Sequence, residues 1–240
     1  MDEVSNRTEK WKTAQKSELE FQRRLSKRKG FSKDFSKLWK RRFRRFDLPK
    51  FDKKSILEVG CNISGPLHFL QGTETFKVGI DPLWGKLFKE IATKDIHYMG
   101  AVGENLPLAT EKFDVVLSHN VLDHVIAPEK VVGEIHRVLK ETGRFLLCVH
   151  SFSYMVKLLE PIIKIIDRRH PYHFSAAEVY DLLNSCGFNI VRFTVINGYD
   201  VRGTLEKPSY HYLLELLKTR RFKAFFSSFV LRTVYVTAEK

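Results

Sequence analysis

The sequence predicts an α/β fold: a doubly wound, seven-stranded sheet whose last strand, at about 230–238, runs antiparallel between strands five and six. Three observations carry this. Short apolar runs alternate with helical segments from residue 55 to 150. The chain ends in a β-rich run, RTVYVTAE. Residues 1–50 follow another pattern, helical and basic, that sets them apart as a cap on a main domain at 51–240.

In the cap, Trp11, Ala14, Glu18, Phe21 and Leu25 recur at helical spacing. Phe35, Leu38, Trp39, Phe43 and Phe46 do so again, up to the helix-stopping Leu48-Pro49. The apolar faces are predicted to dock on the main domain. Arg23, Arg24 and the basic residues at 27–29 and 41–45 are predicted to stay outside or line an entrance. SILEV (55–59), FKVGI (76–80), IHYM (96–99), FDVVLS (113–118) and RFLLCVH (144–150) read as five strands. Helices are predicted near 65–71, 83–92 and 128–140, the last stopped by Gly143. Beyond 150 come helices at 153–167 and 175–185, a strand near 188–196, a helix near 209–219 and the final strand.

Composition agrees with one such domain. With 240 residues, 43% hydrophobic and 29% charged, the chain can bury a sizeable core. No window of about 18 uncharged apolar residues suggests a membrane helix. The start, MDEVSNRTEK, lacks a secretory pattern. Three scattered cysteines, Cys61, Cys148 and Cys186, fit a reducing cytoplasm, so a cytoplasmic protein is expected. Net charge is +13, and +10 of it sits in residues 1–50, which hold 17 Lys/Arg against 7 Asp/Glu.

Ligands of doubly wound sheets sit at the C-terminal strand ends, so the residues just after each strand matter most. The first strand runs into Glu58-Val59-Gly60-Cys61-Asn62-Ile63-Ser64-Gly65. Its glycine turn lets backbone approach a ligand, but Asn62 would crowd a pyrophosphate, and Glu58 favours a cation. Asp81 ends the second strand, 21 residues after Gly60, and is placed to accept both hydroxyls of a ribose. A helix-capping aspartate is the plainer alternative. The third strand leads to Gly103-Glu104, and the fourth to Ser118-His119-Asn120 and Asp123-His124.

In this order and spacing, over residues 54–150, these segments resemble the class I S-adenosylmethionine-dependent methyltransferases, in their small-molecule branch. The resemblance implies a Rossmann-like domain, S-adenosylmethionine as cofactor and methyl transfer as the activity. It places Glu58 and Gly60 by the methionine part, Asp81 on the ribose, and Pro82 and Leu83 against the adenine, with Asn62 also among the cofactor-binding residues. Gly103 and Glu104 then border the adenine edge, and His119 and Asn120 close the site beside the sulfonium. Asn62 and Ser64 stand where the family usually has glycine, and Val102 where an acid often contacts the adenine amine.

Methyl transfer from a sulfonium is an in-line displacement, so holding the partners in line is the main task. A hydroxyl acceptor also benefits from a base. His124 and His150 are the catalytic candidates, with Tyr172 and His173 as alternatives. His170 and His173 are three apart, but Pro171 spoils helical alignment, so no metal is expected. The expected acceptor is a small molecule or saccharide, lipid-linked or otherwise anionic, methylated at oxygen. The alternatives are an RNA methyltransferase, for which the basic cap is the sole support, and a non-catalytic scaffold that binds the cofactor. An anionic membrane surface is a candidate partner of the cap, and nucleic acid is the less favoured one.

Overall fold

The computed structural model describes residues 3–27, 31–47, 51–70, 75–86, 93–153, 171–197 and 231–240. The helices predicted at 153–167 and 209–219, and the second half of that at 83–92, lie outside the described residues.

The cap forms α1 (Glu3–Ser26) and α2 (Phe31–Arg42), which tightens into a 3-10 turn over Phe43–Arg45 before Phe46 turns extended. Ala14, Trp39 and Phe46 are buried, so the apolar stripe docks as its spacing predicts. Phe21 departs from it and stays half-exposed.

Seven strands follow: β1 (Ser55–Val59), β2 (Phe76–Ile80), β3 (Ile96–Met99), β4 (Phe113–His119), β5 (Leu139–Phe152), β6 (Asn189–Asn197) and β7 (Leu231–Glu239). Their order is β3-β2-β1-β4-β5-β7-β6. The first five pair in parallel, and β7 runs antiparallel between β5 and β6, as predicted. Strand alternation explains the unbroken apolar runs. Leu57, Val59, Val116, Phe145 and Leu147 face one core, covered by α3 (Pro128–Val138) and α4 (Ala176–Ser185). Ile56, Val115, Leu117, Leu146 and Cys148 face the other, which Phe46 and Leu67 help close. A central strand buried on both faces has no polar side to show.

Three elements differ from their sequence reading, the first being the start of the helix expected at 83–92, where residues 83–86 form a turn with Gly85 at φ +91. The helix predicted to 140 ends at Val138, and Leu139 already pairs with Phe113. Gly143 therefore lies inside β5, where a Cβ would come within 2.8 Å of the Lys140 carbonyl oxygen. It permits close packing at a bulge and does not stop a helix. The helix expected at 65–71 is a single 3-10 turn, Pro66–Phe69, opened by Pro66. The helix expected at 175–185 is present as α4, and its Ser175 and Glu178 form a reciprocal capping box.

Candidate functional site

Gly60 leaves β1 at φ +74, with its N–H on the Ile80 carbonyl at 2.7 Å. A Cβ there would lie 2.3 Å from Val121 Cγ2, so glycine meets both the left-handed backbone and the close approach of the segment after β4. Asn62 also has positive φ, at +25. Its Oδ1 accepts the Ser64 N–H at 2.6 Å and the Ser64 hydroxyl at 2.8 Å. An asparagine side chain thus closes a turn where the family uses glycine. His68 supports it, donating from Nε2 to the Asn62 carbonyl at 2.8 Å.

Asp81 is 6% exposed at the end of β2. Its carboxylate accepts the Asn62 N–H at 3.0 Å and the Leu83 N–H at 2.8 Å. The capping role leaves room for a ligand, because each carboxylate oxygen can accept more than one hydrogen bond. Burial pushes its pKa up to about 6; the two N–H groups oppose the rise, and the Glu18 charge adds to it.

Glu58 corrects the sequence reading. It is fully buried beneath the turn, where Oε2 accepts the Leu67 N–H at 2.8 Å and Oε1 has no partner. A Cβ on Gly65 would sit 2.1 Å from that Oε1. Burial, and then the Asp81 charge, push the Glu58 pKa well up. Glu58 shapes the turn from behind and does not line the cavity that the strand-end turns enclose.

After β4, His119 Nε2 meets Arg42 Nη1. Desolvation, then the charges of Arg42 and His150, drive the His119 pKa well down, so the ring is neutral and Nε2 accepts from the guanidinium. Trp39 packs edge-on against His119 with centroids 4.6 Å apart, carries the Arg42 guanidinium 5.1 Å from its ring, and donates its indole N–H to the Ser64 carbonyl at 2.8 Å. These contacts pin α2 to the turns after β1 and β4. Arg42, predicted to stay outside or line an entrance, is 3% exposed and lines the cavity. Asn120, at φ +53, donates its N–H to the Cys148 carbonyl, and its Oδ1 accepts the His150 N–H at 3.4 Å. His150 Nδ1 lies 3.2 Å from Thr233 Oγ1, and His124 Nε2 3.7 Å from Asp123 Oδ2. Glu104 Oε1 accepts the Ile126 N–H at 2.8 Å, at the entrance to α3.

These turns enclose a cavity of about 310 Å³, within the usual range for ligand pockets. Every cofactor-site candidate except Glu58 lines it, as do the first-choice base candidates His124 and His150. Tyr172 and His173 do not. The Tyr172 hydroxyl donates to the Ile126 carbonyl at 2.8 Å, and His173 is buried against Phe152. His170 lies outside the described residues. Among the described residues no cluster of three or more His, Cys, Asp or Glu is placed to hold a metal ion.

A roof formed by residues 1–50 is what the resemblance implies; its polar lining is the part sequence reasoning missed. Trp11, Gln15, Glu18, Gln22 and Leu25 of α1 and Arg42 of α2 line the same cavity. The signal was present: residues 15, 18 and 22 are spaced three and four apart, beside an apolar stripe. Gln15 Oε1 and Gln22 Oε1 are buried without a hydrogen-bond partner. With the Asp81, Glu18 and Glu104 carboxylates, these oxygens favour a ligand rich in donors. The hydroxyls and amines of S-adenosylmethionine fit that demand.

Comparison with known proteins agrees. Residues 57–147 match the family described as methyltransferase domain. An uncharacterised protein of Methanocaldococcus jannaschii is 30% identical over 120 residues, 49% of this chain and 58% of its own. The ubiquinone biosynthesis O-methyltransferase of Cereibacter sphaeroides is 26% identical over 155 residues, 59% of this chain and 62% of its own. The chain thus spans less than two thirds of either relative's length. A chain in the complex between the Haloferax volcanii Trm112 methyltransferase activator and a methyltransferase superposes with a TM-score of 0.64 at 14% identity, covering 92% of this chain and 97% of that one. At that identity the likeness is one of fold.

Proposed function

We propose that this chain, whose residues 57–147 match the methyltransferase domain family, is a class I S-adenosylmethionine-dependent methyltransferase that methylates an oxygen of a small-molecule or saccharide acceptor, lipid-linked or otherwise anionic. The cofactor supplies an electrophilic methyl group on its sulfonium. Asp81 would accept the ribose hydroxyls, Leu83 and Pro82 pack on the adenine, and the Gly60 turn admit the amino-acid part. Asn120 and neutral His119 border the reacting centre.

The observation that carries the reading is the order of groups across the strand ends. Asp81 and Glu104 sit over β2 and β3, whereas His119, His124, His150 and Arg42 sit on the β4 and β5 side of the same cavity. A nucleoside fits the acidic side and an acceptor the basic side. His124 or His150 would take the proton that a hydroxyl loses as it is methylated. The Arg42 guanidinium supports an acceptor that carries a carboxylate or phosphate. The Cereibacter relative's name, an O-methyltransferase, favours oxygen as the target.

Calorimetric titration with S-adenosylhomocysteine tests the cofactor half. Asp81→Ala should weaken binding at least about tenfold while the protein stays folded, since charge-assisted hydrogen bonds are worth roughly 1.5–3 kcal/mol each. Methyl transfer to a panel of hydroxy acids, with their O-methylated forms as blanks, tests the acceptor half. Alanine at the true base should slow turnover by roughly 10²–10⁴ with cofactor binding intact. Full rates in both His124→Ala and His150→Ala would reject a histidine base.

A further inference from the structure

Covering the cavity does not by itself explain the polar face of α1. Gln15, Glu18 and Gln22 share one side of the helix, and all three line the cavity. A plain lid would put apolar side chains there, as Trp11 and Leu25 do. Gln22 is 1% exposed; its amide N–H donates to the Glu18 carboxylate, while its Oε1 has no partner. Gln15 Oε1 is buried and unpartnered as well. Buried amide oxygens are seldom left without a donor, because desolvation is then uncompensated. Across the gap stands Asp81, close enough to Glu18 for the two negative charges to repel. Two carboxylates and two amide oxygens therefore converge on one space. A ligand with O–H or N–H donors on neighbouring atoms answers such a set, and a vicinal diol offers one hydrogen to each side of the cavity in little volume.

We propose that α1 forms half of the nucleoside site: in place of both on Asp81, one ribose hydroxyl donates to Asp81 from below and the other to the Glu18–Gln22 pair from above, with Gln15 beside them as a further acceptor. This rests on the cofactor reading above and adds a specific binding role for the cap. It makes α1 a reader of the cofactor as well as a roof. It also explains why a helix so rich in exposed charge keeps two neutral amides where it meets the main domain.

The test is calorimetry on the full chain with S-adenosylhomocysteine and its 2′-deoxy and 3′-deoxy analogues, beside the melting temperature of the ligand-free protein. Gln22→Met keeps the side-chain length and removes the amide. It should weaken S-adenosylhomocysteine binding about tenfold, with the free protein's melting temperature unchanged or raised. The loss should shrink against whichever deoxy analogue lacks the hydroxyl that Gln22 accepts. Gln15→Met and Glu18→Gln give the same comparison if Gln22→Met folds poorly. Equal affinity in all three variants, with a wild type that binds, would overturn the proposal and leave the cofactor reading standing. So would a penalty undiminished against both deoxy analogues, or a lowered melting temperature with affinity unchanged. A wild type that fails to bind S-adenosylhomocysteine would reject both.

Discussion

Asp81 is legible in the sequence because position and chemistry agree: a carboxylate at the end of the second strand, followed by Pro82. Glu58 misleads because its neighbours conceal which way it points. Strand alternation puts it on the face of Ile56 and Leu67, away from Leu57 and Val59, so it reaches the 3-10 turn instead of the cavity. The Asp81 pKa of about 6 leads to a pH test. The groups that raise it or share its surroundings are Glu18 across the cavity and Glu58 and Cys61 behind it. The ionised carboxylate is the better acceptor for hydroxyls, so binding should pull a proton off Asp81. S-adenosylhomocysteine affinity should rise from pH 5 to 7 and then level off, with proton release measurable near pH 6 in buffers of different ionisation heat. Asp81→Asn should flatten that profile. The free protein should respond in the opposite sense through this group. Its folded pKa lies above the unfolded value, so this contribution to stability is lost as pH rises from about 4 to 6. At Gly60, alanine should destabilise the fold by about 1 kcal/mol or more through positive φ alone, and Val121→Ala in the same chain should recover only the part due to the clash with Val121.

Among the elements, the parallel strands are legible because burial on both faces leaves continuous apolar runs. The α3–β5 junction is not: Ile135, Val138 and Leu139 keep helical spacing while the backbone has already turned extended at Leu139. Asp114 of β4 anchors that region. Its Oδ2 accepts the Ser55 N–H at 2.8 Å and the Ser55 hydroxyl at 2.7 Å, and lies 3.0 Å from the Lys140 ammonium, so β1, β4 and β5 are tied at their starting edge. Although partial burial opposes it, these hydrogen bonds and the Lys140 charge hold the Asp114 pKa down at about 2. Asp114→Asn should cost about 1–2 kcal/mol at neutral pH. The folded value lies below the unfolded one, so the stabilisation is present above pH 4 and is lost as pH falls from about 4 to 2. Urea melts of wild type and variant should therefore converge towards pH 2.

For the molecule as a whole, the division between a basic cap and a near-neutral main domain is plain in the charge count, but which cations face outward is not. The apolar face of α2 rolls Arg42 inward against Trp39 and His119. Arg23, Arg24, Lys40 and Arg44 remain exposed. Outward charge and inward site are thus separate features of one cap and can be removed separately. Each exposed cation near an anionic leaflet adds about 1 kcal/mol, so four of them suffice for weak, salt-sensitive association. Wild-type protein is expected to co-sediment with phosphatidylserine-containing vesicles at low salt and not with neutral ones. Changing Arg23, Arg24, Lys40 and Arg44 together to serine should abolish that association and leave S-adenosylhomocysteine affinity intact. Arg42→Ser should do the reverse, keeping vesicle binding while disturbing the ring of His119 and the rate of transfer. Equal sedimentation of the wild type with neutral and anionic vesicles, or with neither, would remove the membrane from the account and leave the outer charge as a solvated face. Oligonucleotide in place of vesicles provides the remaining arm. Binding there that survives the four serines would move the positive surface elsewhere on the molecule.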